Sequence, residues 1–548
     1  MMKTKLWSVT CNTKFDSGAG IQIVSSCPAE IHFQAPWNNS PNPMWYHFRV
    51  RGARGWTVRF VHRNILSSLG ANPKHLEKKR VRPVYTTDGL DVSPSQRNWK
   101  RVRAEDISFD SDSRSYAFTI RVTGDELYVA HSYPYNLEAW QELVDAHADH
   151  PDLCVDTIGR TEMGRPIPQA TIGTKGAANR ETIWLFARNH AAEVGGAWAL
   201  DGHLRWLLGD NEDAGWLRQH YCTRVIPFVD LDGVLEGWYG KDRAPRDFNR
   251  AWLADSPRPE IRRYLKEILK TRPVFVLDYH SPDLGGGNYA LLSQRSSVPL
   301  EQWPIHEYFG ETAKRLSPRS CAIDRVLESF HSTEATETYC RRGVFNWCFG
   351  NVGSSAELSY AVTAAGRVIQ RRGYQAMGAA YAKALVKTLK RFGHGMHPIP
   401  WTDFDRQIRL YPEYTGDAFR GWLQWRPPTD ASLHVRTQTV KEVLQASIKK
   451  QGGMVHIASP RQPLTKTIVV KYDLKAMAGT PTQVLGKLLY YDDHGLQYER
   501  HDLFELPPTK GWHRTTVTPN PPAGATHRRL SLQITGGRGR FRLWSMQS

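Results

Sequence analysis

The sequence predicts a multidomain protein in which a central α/β domain with a mixed, mostly parallel sheet lies between two all-β sandwich domains. The chain has 548 residues, which is more than one ordinary domain holds. Strand-like alternation of apolar and polar residues, broken by turn residues, fills both ends of the chain. Between them, apolar runs alternate with helical patterns, which is typical of a parallel α/β sheet.

The first domain is predicted at residues 1–130. Segments 45–50 and 116–122 alternate with a period of two, and Gly, Asn and Pro separate them from similar runs. No strong helical pattern appears in this part of the chain. An all-β sandwich is therefore expected.

The α/β domain is predicted at residues 131–395, and a third domain at residues 400–548. The central domain begins with an amphipathic helical pattern at 137–148 and ends with a helical pattern that stops near residue 393. A linker rich in Gly and Pro follows, and short strand-like runs then return. We expect the third domain to be a jelly-roll-like sandwich.

Composition limits the partners of the chain. The formal charge is +18, but Lys and Arg are spread along the sequence and no nucleic-acid-binding motif is present, so nucleic-acid binding is not expected. A plain basic surface, or one that favours acidic peptides or cell-wall polymers, fits better.

No run reaches the ~18–20 apolar residues of a membrane helix. The basic start has no apolar run behind it, and seven cysteines form no CxxC pair, so we expect a cytoplasmic protein.

A His-x-x-Glu pattern at His190 and Glu193 is a candidate metal site. It follows an apolar strand-like run and precedes a helical stretch, and sites of parallel α/β sheets gather at such strand ends. His331 and Glu334 have the same spacing but lie in a polar segment with no strand before them. We therefore favour His190 and Glu193 as ligands.

A third metal ligand should come from another strand end. His280 closes the apolar run VFVLDYH, so its ring can lie beside His190. On that segment alone, a buried structural histidine is an equal alternative. Two His and one carboxylate, with a position open for water, form a ligand set used by zinc hydrolases.

At this point the sequence resembles the zinc carboxypeptidase family, especially its cytosolic carboxypeptidase-like branch. The matching segments occur in the family's order: IGRTEMGRPI at 158–167, RNHAAE at 188–193, PFVDLDGV at 227–234, DFNR at 247–250, DYHS at 278–281 and SAELS at 355–359. Residues 45–53 and 130–135 also resemble the sandwich that precedes the catalytic domain in that branch. The last ~150 residues fall outside this pattern and only loosely resemble a carbohydrate-binding jelly roll.

The resemblance implies one Zn²⁺ per chain, held by His190, Glu193 and His280. It implies that Glu357 is the general base, which takes a proton from the zinc-activated water and passes it to the leaving amine. Asp247 would accept the other ring N–H of His190 and so orient that ligand.

Substrate binding is implied at Asn249 and Arg250, which match the family's pair for the terminal carboxylate. Arg suits this task because its planar fork bonds a carboxylate at two points. The chain departs from the branch at the arginine that stabilises the oxyanion, because Gly240 follows Trp238 and Tyr239. Arg243 is our choice for that role, with Lys241 and Arg246 as alternatives.

The predicted function is a zinc-dependent metallocarboxypeptidase that removes the C-terminal residue of peptides or proteins. Arg342, next to Arg341, would favour an acidic C-terminal residue if it lines the side-chain pocket; an exposed basic loop is the alternative. Two other functions stay open: a zinc-dependent deacylase of N-acyl amino acids, and a non-catalytic binding protein. The aromatic residues of the third domain either bind glycan or form its core: Trp422, Trp425, Trp512 and Trp544.

Overall fold

The structure is a computed structural model of the 548-residue chain. It describes all residues except 1–8, 19–21, 28–29, 39, 66–72, 113–114, 175, 177–179, 272, 284–285, 294, 296–297, 299–301, 329–351, 394–422, 430, 439–440, 450–452, 477–481 and 548.

The N-terminal region is a sandwich of two sheets. Its strands are β1 (Thr10–Asn12), β2 (Gln22–Cys27), β3 (Glu30–Gln34), β4 (His47–Arg51), β5 (Thr57–His62), β6 (Val84–Thr86), β7 (Lys100–Arg101), β8 (Ile107–Asp110), β9 (Ser115–Arg121) and β10 (Glu126–Ala130). One sheet has the order β1-β4-β10-β6-β7 and the other β2-β3-β5-β9-β8. Alternate residues point inward and share one core, in which Phe33, Phe48, Phe60 and Phe118 meet. A short helix, α1 (Pro73–Glu77), lies between β5 and β6.

The central region is built on one mixed sheet. Its strands are β11 (Leu153–Arg160), β12 (Pro166–Ile172), β13 (Thr182–Ala187), β14 (Cys222–Ile226), β15 (Pro273–Asp283), β16 (Asn288–Leu292), β17 (Ile323–Glu328) and β18 (Val352–Ser359). Their order is β11-β12-β14-β13-β15-β18-β16-β17. The strands β14, β13, β15 and β18 are neighbours and run parallel. The apolar runs that predicted β13 and β15 are buried.

The helices of the central region cover this sheet. They are α2 (Leu137–Asp145), α3 (Val194–Leu207), α4 (Glu212–His220), α5 (Leu231–Leu235), α6 (Pro259–Ile268), α7 (Trp303–Leu316) and α8 (Arg371–Phe392), with a 3₁₀ turn at Phe248–Arg250. Helices α3 and α8 touch backbone to backbone, because a Cβ on Gly378 would lie 1.7 Å from the carbonyl oxygen of Ala199. At its start, α3 also lies against β15, where a Cβ on Gly196 would meet the carbonyl oxygen of Tyr279 at 2.5 Å.

The C-terminal region is strand-rich, with two antiparallel sheets. Its strands are β19 (Leu423–Thr429), β20 (Ala431–Gln438), β21 (Lys441–Ile448), β22 (Gly453–Ala458), β23 (Gln462–Pro463), β24 (Ile468–Ala476), β25 (Thr482–Tyr491), β26 (Gln497–Leu506), β27 (His513–Val517), β28 (His527–Gly536) and β29 (Gly539–Gln547). The orders are β19-β22-β28-β25-β26 and β20-β21-β29-β24-β27. Both sheets contribute to one buried core, as a sandwich requires.

The multidomain architecture that the sequence predicted is confirmed, with a strand-rich region on each side of the α/β sheet. The exact boundaries at 130, 395 and 400 stay predictions. Among the described residues, no helix is long and apolar enough to cross a membrane.

Candidate metal and catalytic site

Three neighbouring parallel strands end at the candidate site. His190 and Glu193 follow the end of β13, His280 lies near the end of β15, and Glu357 lies on β18. The register pairs Ala187 with Tyr279, and His280 with Glu357. These four side chains therefore meet at one edge of the sheet, where the alternation of strands and helices predicted a site.

Glu193 joins the two histidines. Its carboxylate oxygens lie 2.8 Å from Nδ1 of His190 and 2.7 Å from Nδ1 of His280. One ligand atom from each residue lies within 4.8 Å of the other two, and all three residues are buried. A cluster of two imidazoles and one carboxylate at this spacing can hold a metal ion.

The outer nitrogens of both rings face further carboxylates. Nε2 of His280 lies 2.6 Å from Oδ2 of Asp278, and Nε2 of His190 lies 3.7 Å from Oδ1 of Asp247. Asn189 donates from Nδ2 to Asp278 at 2.9 Å and so holds that carboxylate in place. Both rings therefore present Nδ1 to the centre of the cluster and Nε2 to an orienting group.

The charges of the clustered side chains shift one another's pKa values. Burial alone would raise the pKa of Glu193, but the His190 and His280 rings outweigh it and hold that pKa well below its usual range. Burial would lower the pKa of His280, whereas Asp278, Glu193 and Glu357 raise it well above its ordinary value. The carboxylates thus make this edge of the sheet attractive to a cation.

A buried arginine shapes the loop that carries His190 and Glu193. Arg188 has a φ of 61°, and its guanidinium donates to the carbonyl oxygens of Ala191 at 2.7 Å and Tyr135 at 2.6 Å. The N–H of Ala192 donates to the carbonyl oxygen of Tyr239 at 3.1 Å. Ala192 also belongs to the core of the N-terminal sandwich, so both regions fix the position of Glu193.

Glu357 is nearly buried beside the cluster, with 8% of its surface exposed. It is paired in register with His280 on one side and with Tyr289 on the other. Its charge contributes to the raised pKa of His280. Register and charge therefore place Glu357 beside the His280 ring.

The segment at 241–250 borders the cluster. Asp247 caps the 3₁₀ turn by accepting from the N–H of Arg250 at 2.9 Å, and Asn249 and Arg250 are half-buried. The charges of His190, Arg250 and Lys241 oppose burial and keep the pKa of Asp247 well below its usual range. Asn249 and Arg250, the pair predicted to bind the substrate's carboxylate, thus lie on the same turn as Asp247, which faces His190.

The candidate oxyanion residues have different surroundings. Nη2 of Arg243 lies 3.5 Å from Oδ1 of Asp230, and its guanidinium lies 4.3 Å from the ring centre of Trp238. Lys241 is half-buried near Asp247, and Arg246 forms an ion pair with Glu499. Other predicted residues lie outside the described part of the chain: His331, Glu334, Arg341 and Arg342.

Known proteins that are similar to this chain agree with this geometry. Residues 139–284 match the family model described as zinc carboxypeptidase, and residues 11–132 match the cytosolic carboxypeptidase N-terminal domain. The first match contains all three members of the His–Glu–His cluster. Residues 139–284 are therefore similar to zinc carboxypeptidases, and residues 11–132 to the domain at the N-terminus of cytosolic carboxypeptidases.

Individual relatives of this chain are distant. Cytosolic carboxypeptidase 2 of Macaca fascicularis is 26% identical over 354 residues, which are 59% of this chain and 40% of the relative. The Danio rerio protein of that name is 30% identical over 258 residues, 43% of this chain and 35% of the relative. The chain thus spans less than half the length of these relatives.

A solved structure shares the fold of this chain. The metallo-carboxypeptidase of Burkholderia cenocepacia superimposes with a TM-score of 0.60 and 23% identity, covering 70% of this chain and 100% of that one. At this identity the likeness concerns the fold alone.

Two residues of the candidate site were not assigned roles from the sequence. Asp278 lies two residues before His280 on the same strand, so the period of two placed both side chains on one face and could have revealed the contact. Arg188 gave no such signal, because its bonds to Ala191 and Tyr135 depend on the folded loop.

Proposed function

We propose that this chain is a zinc-dependent metallocarboxypeptidase that hydrolyses the C-terminal peptide bond of peptides or proteins. The observation that carries the proposal is the buried cluster of His190, Glu193 and His280 with Glu357 in register on the neighbouring strand. The family supplies the reaction class, and the arrangement of these four side chains supports it.

The residues fit a zinc ion. Two imidazole Nδ1 atoms and one carboxylate converge, and Asp278 and Asp247 face the opposite ring nitrogens. His190, Glu193 and His280 would hold one Zn²⁺ per chain. Zinc supplies Lewis-acid chemistry, which polarises a carbonyl group and lowers the pKa of water.

Glu357 would move the proton. Its carboxylate accepts a proton from the attacking water and then delivers that proton to the leaving amine, so one group acts first as base and then as acid. The low exposure of Glu357 supports this role, because a carboxylate shielded from bulk solvent can keep the proton of the attacking water until the leaving amine accepts it.

Asn249 and Arg250 would bind the terminal carboxylate of the substrate. They are half-buried on the turn that Asp247 caps, so their backbone is fixed while their side chains stay accessible. An arginine that bonds the carboxylate at two points selects a free C-terminus over an internal bond. Arg243 remains our proposal for the oxyanion donor, supported by its burial within the same segment.

The finer features of the substrate are extensions of this proposal. An acidic C-terminal preference would depend on Arg342. The relatives are named cytosolic carboxypeptidases, so we also propose a cytoplasmic location, which a tagged chain in fractionated cells would test. Glycan binding by the C-terminal region stays a prediction; there, Trp512 and Trp544 pack on each other at 5.0 Å.

A peptide panel tests the proposal. Zinc-loaded protein is incubated with peptides that differ at the last residue, with their C-terminal amides, and with N-acyl amino acids. Release of one free amino acid from the acids but not from the amides, abolished by a chelator, is expected. Cleavage of the N-acyl amino acids alone would replace the proposal with the deacylase, and zinc binding without any release would favour a binding protein.

A further inference from the structure

A hairpin of the C-terminal region contacts the catalytic region close to the turn that carries Asn249 and Arg250. The strands β25 and β26 are joined by a turn, and we call residues 491–499 the docking hairpin. It contacts the segment 246–255, which carries Asn249 and Arg250. The sequence resemblance did not extend to this C-terminal region.

Two backbone contacts join the hairpin to that segment. The N–H of Ala254 donates to the carbonyl oxygen of Gln497 at 2.9 Å. The N–H of Glu499 donates to Oδ1 of Asp255 at 3.0 Å. Because both bonds involve main-chain atoms, they fix the position of the segment and do not depend on flexible side chains alone.

The side chain of Leu496 anchors the hairpin in the core of the catalytic region. Leu496 is only 3% exposed and belongs to the core cluster of the catalytic region, together with Trp252. Hydrogen bonds within the C-terminal region support the shape of the hairpin, since Asp492 accepts from the N–H of Leu496 at 2.8 Å and Arg461 donates to the carbonyl oxygen of Gly495 at 3.0 Å.

A charged contact continues from the hairpin to the carboxylate-binding turn. Glu499 forms an ion pair with Arg246. Nη1 of Arg246 in turn donates to the carbonyl oxygen of Arg250 at 3.3 Å. The backbone of Arg246 is also held, because its carbonyl oxygen accepts from Nε of Arg258 at 2.8 Å. One guanidinium thus connects the C-terminal region to the backbone of Arg250.

We propose that the docking hairpin is part of the substrate site: through Leu496, Gln497 and Glu499 it positions the turn that carries Asn249 and Arg250, and so determines affinity for the substrate's terminal carboxylate. This rests on the proposed function. Leu496 and Glu499 are positioning residues, which act through the segment 246–255 without touching substrate.

The test compares three variants of the full-length, zinc-loaded chain. Glu499→Gln removes the ion pair, and Leu496→Ala with Glu499→Gln also removes the anchor. Glu505→Gln is the matched control, because Glu505 is an exposed glutamate on the same strand, outside the hairpin. Hydrogen exchange of the amides in 246–255, and kcat and KM for a peptide with a free C-terminus, are measured for each.

The ion pair is half-exposed at Glu499, so its loss should raise KM about two- to fivefold with kcat nearly unchanged, because carboxylate binding is lost equally from ground and transition states. The double variant should raise KM about tenfold or more and speed exchange at Ala254, and Glu505→Gln should change neither. The proposal would be overturned if the double variant left amide exchange in 246–255 unchanged, or if the variants lowered kcat and left KM unchanged.

Failure of the proposed function would look different. A wild-type chain that cleaves no peptide gives no KM, but exchange at Ala254 still shows whether the hairpin positions the segment. In that case affinity is measured directly, by titrating the same peptide and its C-terminal amide. If the chain binds neither, or if the double variant retains wild-type preference for the free acid, the role in carboxylate affinity is wrong.

Discussion

At the scale of single residues, the carboxylates around the two histidines determine what the cluster can hold. His280 lies between Glu193 at its Nδ1 and Asp278 at its Nε2. A carboxylate at the outer nitrogen fixes the orientation of the ring and makes the inner nitrogen a better metal ligand. Asp278 is therefore expected to matter for metal affinity although it is not a ligand.

Replacement of Asp278 by Asn should weaken zinc binding about 10–100-fold, because the neutral amide supports the His280 ring less strongly. Zinc is titrated into metal-free protein by calorimetry. Asp145→Asn, at an exposed position on α2, is the control and should leave affinity unchanged. Equal affinities for Asp278→Asn and the wild type would show that this contact does not tune the site.

The clustering of His190, Glu193 and His280 could be predicted because each residue has a local signal. His190 and Glu193 follow a fully buried strand, and His280 ends the run VFVLDYH on a neighbouring parallel strand, so the rule that sites gather at strand ends predicted that they meet. The oxyanion donor could not be chosen in the same way. Arg243, Lys241 and Arg246 lie in one irregular segment, where no periodicity indicates which side chain points to the site.

At the scale of elements, helix α3 positions Glu193, which immediately precedes it. The helix is held by close packing on α8, where Gly378 leaves no room for a Cβ against the carbonyl oxygen of Ala199. Such a contact cannot relax by a rotamer change, because the atom that would clash belongs to the backbone.

Gly378→Ala should therefore lower the free energy of unfolding by about 3 kcal/mol or more and weaken zinc binding by displacing α3. Gly215→Ala in α4 is the matched control, since the nearest atom to its Cβ would be 4.0 Å away. There the loss of backbone freedom in the unfolded chain should stabilise by about 0.5–1 kcal/mol. Urea unfolding with zinc titration measures both; similar effects at the two positions would contradict this account of the packing.

A buried histidine, His131, makes the stability of the fold depend on pH. His131 is 2% exposed, lies between the rings of Tyr46 and Tyr360, and has a pKa lowered to about 3, first by burial and then by the charges of His62 and Arg101. An unfolded histidine has a pKa of about 6.5. Between these values the unfolded state binds a proton that the folded state excludes, so stability is full above pH ~6.5 and falls as the pH drops toward ~3.

His131→Phe removes this one titration. The slope of unfolding free energy against pH between about 4 and 6 should decrease by about 1.4 kcal/mol per pH unit, because one fewer proton is taken up on unfolding. Urea unfolding of both proteins at several pH values gives the slopes. Parallel curves for the variant and the wild type would mean that His131 is protonated in the folded state.

At the scale of the whole molecule, the order of the three regions could be predicted, but their contacts could not. Alternation with period two indicates strands, and alternating strand and helix patterns indicate the central sheet. No such pattern shows that Leu496 of the third region belongs to the core of the second. Nor does it show that Arg101 of the first donates to the carbonyl oxygens of Tyr360 and Ile369.

These contacts mean that the site is supported from both sides. The N-terminal sandwich packs around Ala192 and Val194, which flank Glu193, and the docking hairpin bonds to Ala254 near the turn that carries Asn249 and Arg250. The His–Glu–His cluster and that turn are thus held by different accessory regions of the same chain.

The most direct test of the central claim is release of a C-terminal amino acid by wild type and Glu357→Gln at equal, measured zinc content. The substitution keeps size and hydrogen-bonding capacity but removes the base, so kcat should fall about 10²–10⁴-fold while one zinc per chain remains bound. Equal turnover by the two proteins would contradict Glu357 as the proton carrier. Absence of zinc from both would contradict the cluster of His190, Glu193 and His280 as its site.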